Sequence, residues 1–273
     1  MSKSKKQKHK LSAKNADKHL LYQWSVQTPE FETEFMARAF AKRNDRAPRV
    51  LREDFCGTAL NAATWVRGRP ERRAIALDLD RATLEWGRLH NLEPLGPDAR
   101  RVELLQQDVR SLTRPKADIC CALNFSYYFF STIRELADYL EMVHGSLNPG
   151  GVMIMDCYGG WESQQIKEEP RKVKGPRGRF TYVWDQADYN PVDNMALCYI
   201  HFRFNDGSEM PKAFSYHWRL YTPPEVRDAL ELAGFRDVQI YWDVETDEDE
   251  SDYRPRKRAE NCPGWLAYIV GYR

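Results

Sequence analysis

The stretch Val50-Leu-Arg-Glu-Asp-Phe-Cys-Gly-Thr-Ala-Leu60 holds the strongest clue to the fold. An apolar start (Val50, Leu51) runs into two acids, Glu53 and Asp54, and then into the turn Cys56-Gly57-Thr58. An alanine-rich segment with helical spacing comes next (Ala59, Leu60, Ala62, Ala63, Val66). This order reads as strand, tight turn, helix. Such a turn sets backbone N–H groups and the positive end of a helix beside a strand's carboxyl end, which suits a nucleotide-like ligand or a carboxylate. Gly57 lets a ligand approach the backbone, and an acid at the strand end accepts from a ligand's amine. Phe55 and Ala59 stand where a G-x-G-x-x-G fingerprint has glycines. Taken alone, the turn therefore fits an ordinary strand–helix connection as well.

The segments beyond Leu60, spaced at regular distances, add weight. Arg73-Ala-Ile-Ala-Leu-Asp78 has the continuous apolar run of a strand buried on both faces and ends in an acid. An acid at the end of the second strand of a doubly wound sheet bonds ribose hydroxyls. A helical segment, Thr83 to Asn91, comes after it. Val102-Glu-Leu-Leu-Gln-Gln-Asp108 repeats the pattern, and Ala117 to Asn124 is an apolar run closing on an amide. The segment Ile133 to Leu147 is helical, Asn148-Pro-Gly-Gly151 is a helix stop, and Val152 to Asp156 is the fifth strand. Alternation of this kind predicts an α/β sheet with right-handed crossovers. Its ligands bind at the strands' carboxyl ends. Glu53, Asp78, Asp108 and Asn124 gather on that edge.

At these residues the chain resembles the class I S-adenosylmethionine-dependent methyltransferases, with Glu53-Asp-Phe-Cys-Gly-Thr-Ala59 in the place of the family's E-x-G-x-G-x-G motif. The resemblance implies a seven-stranded, mostly parallel sheet with helices on both faces and the last strand antiparallel. It implies S-adenosyl-L-methionine as cofactor. Glu53 would lie near the methionine amine, with Cys56 and Gly57 in the turn near the methionine carboxylate. Asp78 would hold the ribose and Asp108 the adenine amine, with Leu79 and Val109 on the adenine faces. Asn124 would face the methyl donor. Phe55 must point away from the cofactor or stack on it. A nicotinamide enzyme fits less well, because its pyrophosphate needs the glycines that Phe55 and Ala59 replace.

Composition sets the bounds. The 273 residues carry a formal net charge of +1 and are 42% hydrophobic. That suffices for one large domain with an elaborated lid and leaves no overall nucleic-acid footprint. No apolar run reaches membrane-span length, and the lysine-rich start is not a secretory signal. The cysteines, at 56, 120, 121, 157, 198 and 262, form no C-x-x-C and read as free thiols of a cytoplasmic protein. No metal-binding signature is present. Lys3, Lys5, Lys6, Lys8 and Lys10 make a basic start, and the acidic run 245–252 is followed by the basic run Arg254 to Arg258. All three read as solvated segments, the first as a disordered tail over residues 1–15.

The remaining parts concern the substrate. Residues 16–46 read as a helical lid ahead of a cofactor core over 47–157. By resemblance, Tyr22 of that lid touches the methionine end. Residues 158–221 replace a short connection with aromatic, β-branched segments (Phe180 to Trp184, Met195 to Phe204, Ala213 to Leu220) separated by Asp193-Asn194 and Asn205-Asp-Gly-Ser208. They predict an inserted antiparallel meander that walls a substrate pocket and also suits a homodimer interface. Residues 222–273 complete the core sheet, with Thr222 as a helix N-cap and Pro223 in the first turn. Methyl transfer from a sulfonium is an in-line displacement that needs alignment and an unprotonated nucleophile, so catalytic residues are weakly marked. Asn124-Phe-Ser-Tyr127 resembles two positions of the N-P-P-Y motif of base-amino methyltransferases, which makes Asn124 and Tyr127 candidates. His217 is a candidate base, with His201 beside it on the meander. The function expected is methyl transfer to N or O of a small molecule. RNA or protein acceptors and a non-catalytic binding module are the alternatives.

Overall fold

A computed structural model describes residues 10–244 and 252–273; Lys3 to Lys8 of the basic start and most of the acidic run lie outside them. Two helices come first. α1 (Lys18–Val26) is capped by Asp17, whose Oδ1 accepts from the N–H groups of His19 (2.8 Å) and Leu20 (3.1 Å), and α2 (Pro29–Ala41) starts on a proline. The expected βα alternation comes next. β1 (Val50–Asp54) leads to α3 (Leu60–Val66), β2 (Arg73–Asp78) to α4 (Arg81–Gly87), and then β3 (Val102–Gln106), β4 (Ala117–Ala122), α5 (Ile133–Ser146) and β5 (Leu147–Gly159). α4 is shorter than the sequence predicts; a single wide turn, Arg88–Leu92, and a 3-10 segment from Glu93 continue it.

An antiparallel sheet succeeds β5: β6 (Lys167–Gly175), β7 (Gly178–Asn190), β8 (Met195–Phe204) and β9 (Glu209–Arg219), paired in that order. The meander is therefore four strands where the aromatic pattern shows three. The sequence does not reveal β6 because it is almost entirely polar; Val173 is its one buried residue, and it is held by backbone pairing to β7. Along β8 the alternate residues Cys198, Ile200, Phe202 and Phe204 share one face and are all buried.

α6 (Pro223–Leu232) then returns the chain to the first sheet. Thr222 is its N-cap and gives its N–H to Glu225 (2.8 Å); Gly234, with φ +94°, ends it. β10 (Arg236–Val244), β11 (Asp252–Pro255) and β12 (Trp265–Tyr272) complete a sheet in the order β11-β10-β12-β5-β4-β1-β2-β3. β1 to β5 are mutually parallel where they pair, and β12 runs antiparallel to both β5 and β10. The sheet has eight strands where seven were expected. The extra one, β11, lies at the edge inside a run of charged residues that carries no strand periodicity.

The chain divides into two compact units. One comprises the described residues up to Gln27 with Gln164–His217, and the other Thr28–Ser163 with Trp218–Arg273. The two N-terminal helices, read from the sequence as one lid, fall on different sides of that division. In the first unit Leu21 of α1 joins a core with Phe180, Ile200 and Phe202. In the second, Phe35, Met36 and Phe40 of α2 join the core of the mixed sheet.

The strand order reverses between β1 and β4, which makes their carboxyl ends the switch point of the sheet. Gly87 fixes the turn beside it: a Cβ there would lie 2.4 Å from the carbonyl oxygen of Thr58. The same carbonyl accepts from Asn91 Nδ2 at 2.8 Å, so α4 is docked against the turn's backbone. Gly87→Ala is expected to cost about 1–3 kcal/mol in urea unfolding by forcing the two apart; a loss below about 0.5 kcal/mol would contradict this close approach.

Candidate cofactor site

Local backbone shape comes first. Phe55, Gly57 and Ala59 all adopt positive φ (54°, 52° and 53°), so the chain alternates hand through the turn. Two of the three are not glycine, which costs roughly 1–2 kcal/mol apiece. Three bonds hold the shape: Cys56 N–H to Leu77 O (2.9 Å), Gly57 N–H to Asp78 Oδ2 (2.8 Å) and Ala59 N–H to Cys56 O (2.8 Å). The Phe55 ring turns toward the core, against Phe130 and Tyr139 with centroids 6.0 Å away in each case.

The acids stand as the alternation predicts. β2 and β3 pair in parallel with Asp78 opposite Gln106, so Asp78 and Asp108 leave the sheet on the same rim as Glu53. Asp78 is half-buried. Its two oxygens accept from Gly57 N–H and from Asp80 N–H (2.9 Å), and each keeps a lone pair for a further donor. Leu79 beside it is 63% exposed, an apolar surface at a polar rim. Asp108 is held by Arg110, whose Nε donates at 2.9 Å and whose guanidinium keeps the carboxyl below its usual range. Val109 is buried, and its carbonyl accepts from Arg52. Cys56 is buried too; burial pushes its thiol well up, so it is a small neutral group tying the turn to β2 through its N–H.

Glu53 is 5% exposed and accepts from Ala62 N–H at 2.9 Å. Burial pushes it up to about 8, against the pull of that amide, with Glu32 and Asp78 adding repulsion. Asp156, at the end of the fifth strand's apolar run, accepts from the N–H groups of Asn124 (2.6 Å) and Phe125 (2.8 Å). Burial pushes it up to about 7 against those two amides. Asn124 and Phe125 both sit at positive φ (56° and 58°), so Asp156 holds the loop after β4 in its strained form. Asn124 is half-buried at the switch point, as expected.

Tyr127 departs from its expected role. It has no exposed surface and packs edge-on against Tyr128 at 4.9 Å, and burial pushes its phenol well up. As placed, it presents no face to a ligand, because the 3-10 turn Ser126–Phe129 directs it into the core; half-buried Phe125, against Tyr158 at 4.6 Å, is the ring nearer the surface. Tyr22 and His217 belong to the other unit. Tyr22 packs on Phe214 (5.0 Å) and hydrogen-bonds Tyr216, and His217 is exposed on β9. His201 is structural: Nδ1 accepts from Lys212 N–H (2.9 Å), which leaves Nε2–H to donate to Asp185 (3.0 Å).

Four residues escaped the sequence reading. Arg52 is fully buried in β1 and gives its Nε–H to Asp54 (2.7 Å), Nη1 to Ser111 O (3.0 Å), Thr113 Oγ1 (3.2 Å) and Ser146 Oγ (2.9 Å), and Nη2 to Val109 O. Tyr139 donates to the other oxygen of Asp54 (2.7 Å). Glu32 of α2 is buried near Glu53. Asn61 of α3 is buried between them.

This arrangement matches known structures in backbone alone. A S-adenosylmethionine-dependent methyltransferase from Clostridium acetobutylicum superposes with a TM-score of 0.66 at 17% identity, over 92% of this chain and 96% of that one. CalS10, an amino pentose methyltransferase from Micromonospora echinaspora solved with SAM bound, gives 0.65 at 17% identity over 93% and 95%. The sugar N-methyltransferase KedS8 from Streptoalloteichus gives 0.63 at 18% identity over 96% and 94%. No protein-family model and no curated protein sequence matches the chain. The chain has the fold of the class I S-adenosylmethionine-dependent methyltransferases.

The buried charges have measurable consequences. Asp54→Asn leaves the Arg52 guanidinium without its anion and is expected to cost about 3–5 kcal/mol in urea unfolding; a change under about 1 kcal/mol would remove the pair from its structural role. Glu53, Asp156 and Glu32 all hold protons in the native state above the range where they titrate when unfolded. The native state therefore binds more protons than the unfolded chain, and stability falls as pH rises through about 6.5 to 8. His144, lowered by its burial, acts in the opposite sense but mainly below that window. Urea midpoints that stay level or rise across the window would contradict the assignment.

Proposed function

We propose that the protein is an S-adenosyl-L-methionine-dependent methyltransferase acting on a small molecule, with an amine nitrogen as the acceptor atom. The observation that carries the cofactor is the rim at the switch point. There Glu53, Asp78 and Asp108 leave successive parallel strands, Asp78 is pinned by the Gly57 amide, and exposed Leu79 stands beside it. Asp78 keeps acceptor capacity for the two ribose hydroxyls, Leu79 packs on an adenine face, and Glu53 faces the methionine amine. Asn124, held by Asp156, presents its side chain where the methyl group lies. The amine acceptor is favoured by the neighbours' printed descriptions, an amino pentose methyltransferase and a sugar N-methyltransferase.

In such a reaction the cofactor supplies an activated methyl group, and the protein aligns the nucleophile with it. Asn124 accepts one hydrogen of a neutral amine and directs its lone pair at the methyl carbon. A nearby base is needed only to take up the proton released after transfer. No helix among the described residues is long and apolar enough to cross a membrane.

Isothermal titration with S-adenosylhomocysteine tests the reading. Wild type is expected to bind, and Asp78→Ala to weaken binding about tenfold or more through the lost ribose bonds. No binding by wild type, or equal binding by the variant, would sink the proposal.

A further inference from the structure

A second carboxyl faces Glu53. Glu32, at the start of α2, is 5% exposed; its Oε1 accepts from Thr28 N–H at a long 3.4 Å. Its Oε2 is buried with no hydrogen-bond partner among the described residues, and so is Oδ1 of Asn61, 1% exposed at the start of α3. The Asn61 side chain lies within hydrogen-bonding reach of both Glu32 and Glu53, so the three groups adjoin. A buried acceptor left without a donor costs about 1–3 kcal/mol, and adjacent carboxyls repel when ionised. Two such acceptors beside a second buried carboxyl, Glu53, form an arrangement that is incomplete without a cation carrying several N–H groups.

We propose that Glu32, Asn61 and Glu53 together form an ammonium-binding niche, in which the three N–H groups of the cofactor's amino-acid end meet Glu32 Oε2, Asn61 Oδ1 and the Glu53 carboxylate. This rests on the cofactor reading above and adds two binding residues to the single acid that the sequence resemblance implies. Glu53 can accept from Ala62 N–H and from the ammonium at once, since a carboxylate offers about four acceptor sites. An acceptor amine suits the niche poorly. Paired carboxylates hold an amine protonated, and a protonated amine has no lone pair for the methyl carbon. The ammonium of the amino-acid end takes no part in the transfer, so its protonation brings no such conflict. Burial raises both carboxyls, Glu53 to about 8, and a bound ammonium works against that shift.

The test compares two ligands by titration calorimetry on the full chain. S-adenosylhomocysteine carries the ammonium; methylthioadenosine keeps the adenosine and the sulfur and lacks the amino acid. Glu32→Gln is expected to bind S-adenosylhomocysteine at least about tenfold more weakly than wild type. Methylthioadenosine should bind within twofold, and the circular dichroism spectrum should be unchanged. Asn61→Leu should show the same pattern. Equal S-adenosylhomocysteine affinity in Glu32→Gln overturns the niche, and so does a parallel loss for both ligands, which would mean that Glu32 only supports the fold of the site. Wild type binding neither ligand overturns the cofactor reading itself. Wild type binding methylthioadenosine and not S-adenosylhomocysteine overturns the niche and the cofactor reading together.

Discussion

Arg52 is a cation with no exposed surface in an interior strand of the sheet, and the rim is organised around keeping it satisfied. Moving such a charge out of water costs several kcal/mol unless an anion and further acceptors meet it. Asp54 supplies the anion; Val109, Ser111 and Thr113 supply acceptors from the loop after β3, and Ser146 one from α5. One side chain thus ties the end of β1 to the loop that carries Asp108. A single buried network sets where both segments stand at the rim.

The turn after β1 shows how such constraint replaces glycine. In a glycine-rich loop the backbone reaches positive φ without strain. Here Phe55 and Ala59 reach it against strain, and the balance is restored by the turn's bonds to β2 and by burial of the Phe55 ring beside Phe130 and Tyr139. Gly57 takes positive φ at no such strain with its N–H on Asp78, and Gly87 stands where the Thr58 carbonyl leaves no room for a Cβ.

How much was legible depended on the kind of signal each residue carries. Glu53, Asp78, Asp108 and Asn124 were legible because each ends an apolar run, and parallel pairing sends all such ends to one rim. β6 and β11 were not, since backbone hydrogen bonds pair an edge strand whatever its side chains. Tyr127 looked like a ligand-facing ring beside Asn124, but the 3-10 turn after two left-handed residues rotates it inward. Glu32 was masked because an acid in the first turn of a helix is explained by the helix itself. His201 looked available on its strand, yet a backbone N–H from β9 occupies one nitrogen and Asp185 the other.

The alternation of strands and helices, their order and the edge on which the acids emerge could all be read from the chain before it folds. They depend on side-chain periodicity and chain direction, which are local properties. Which charges are buried, and with whom, became visible only in three dimensions: Arg52 with Asp54, Asp156 under the loop of Asn124, Glu32 beside Glu53 and Asn61. Burying a charge is costly everywhere except where distant segments bring complementary groups to it, and that meeting exists only once the chain has folded.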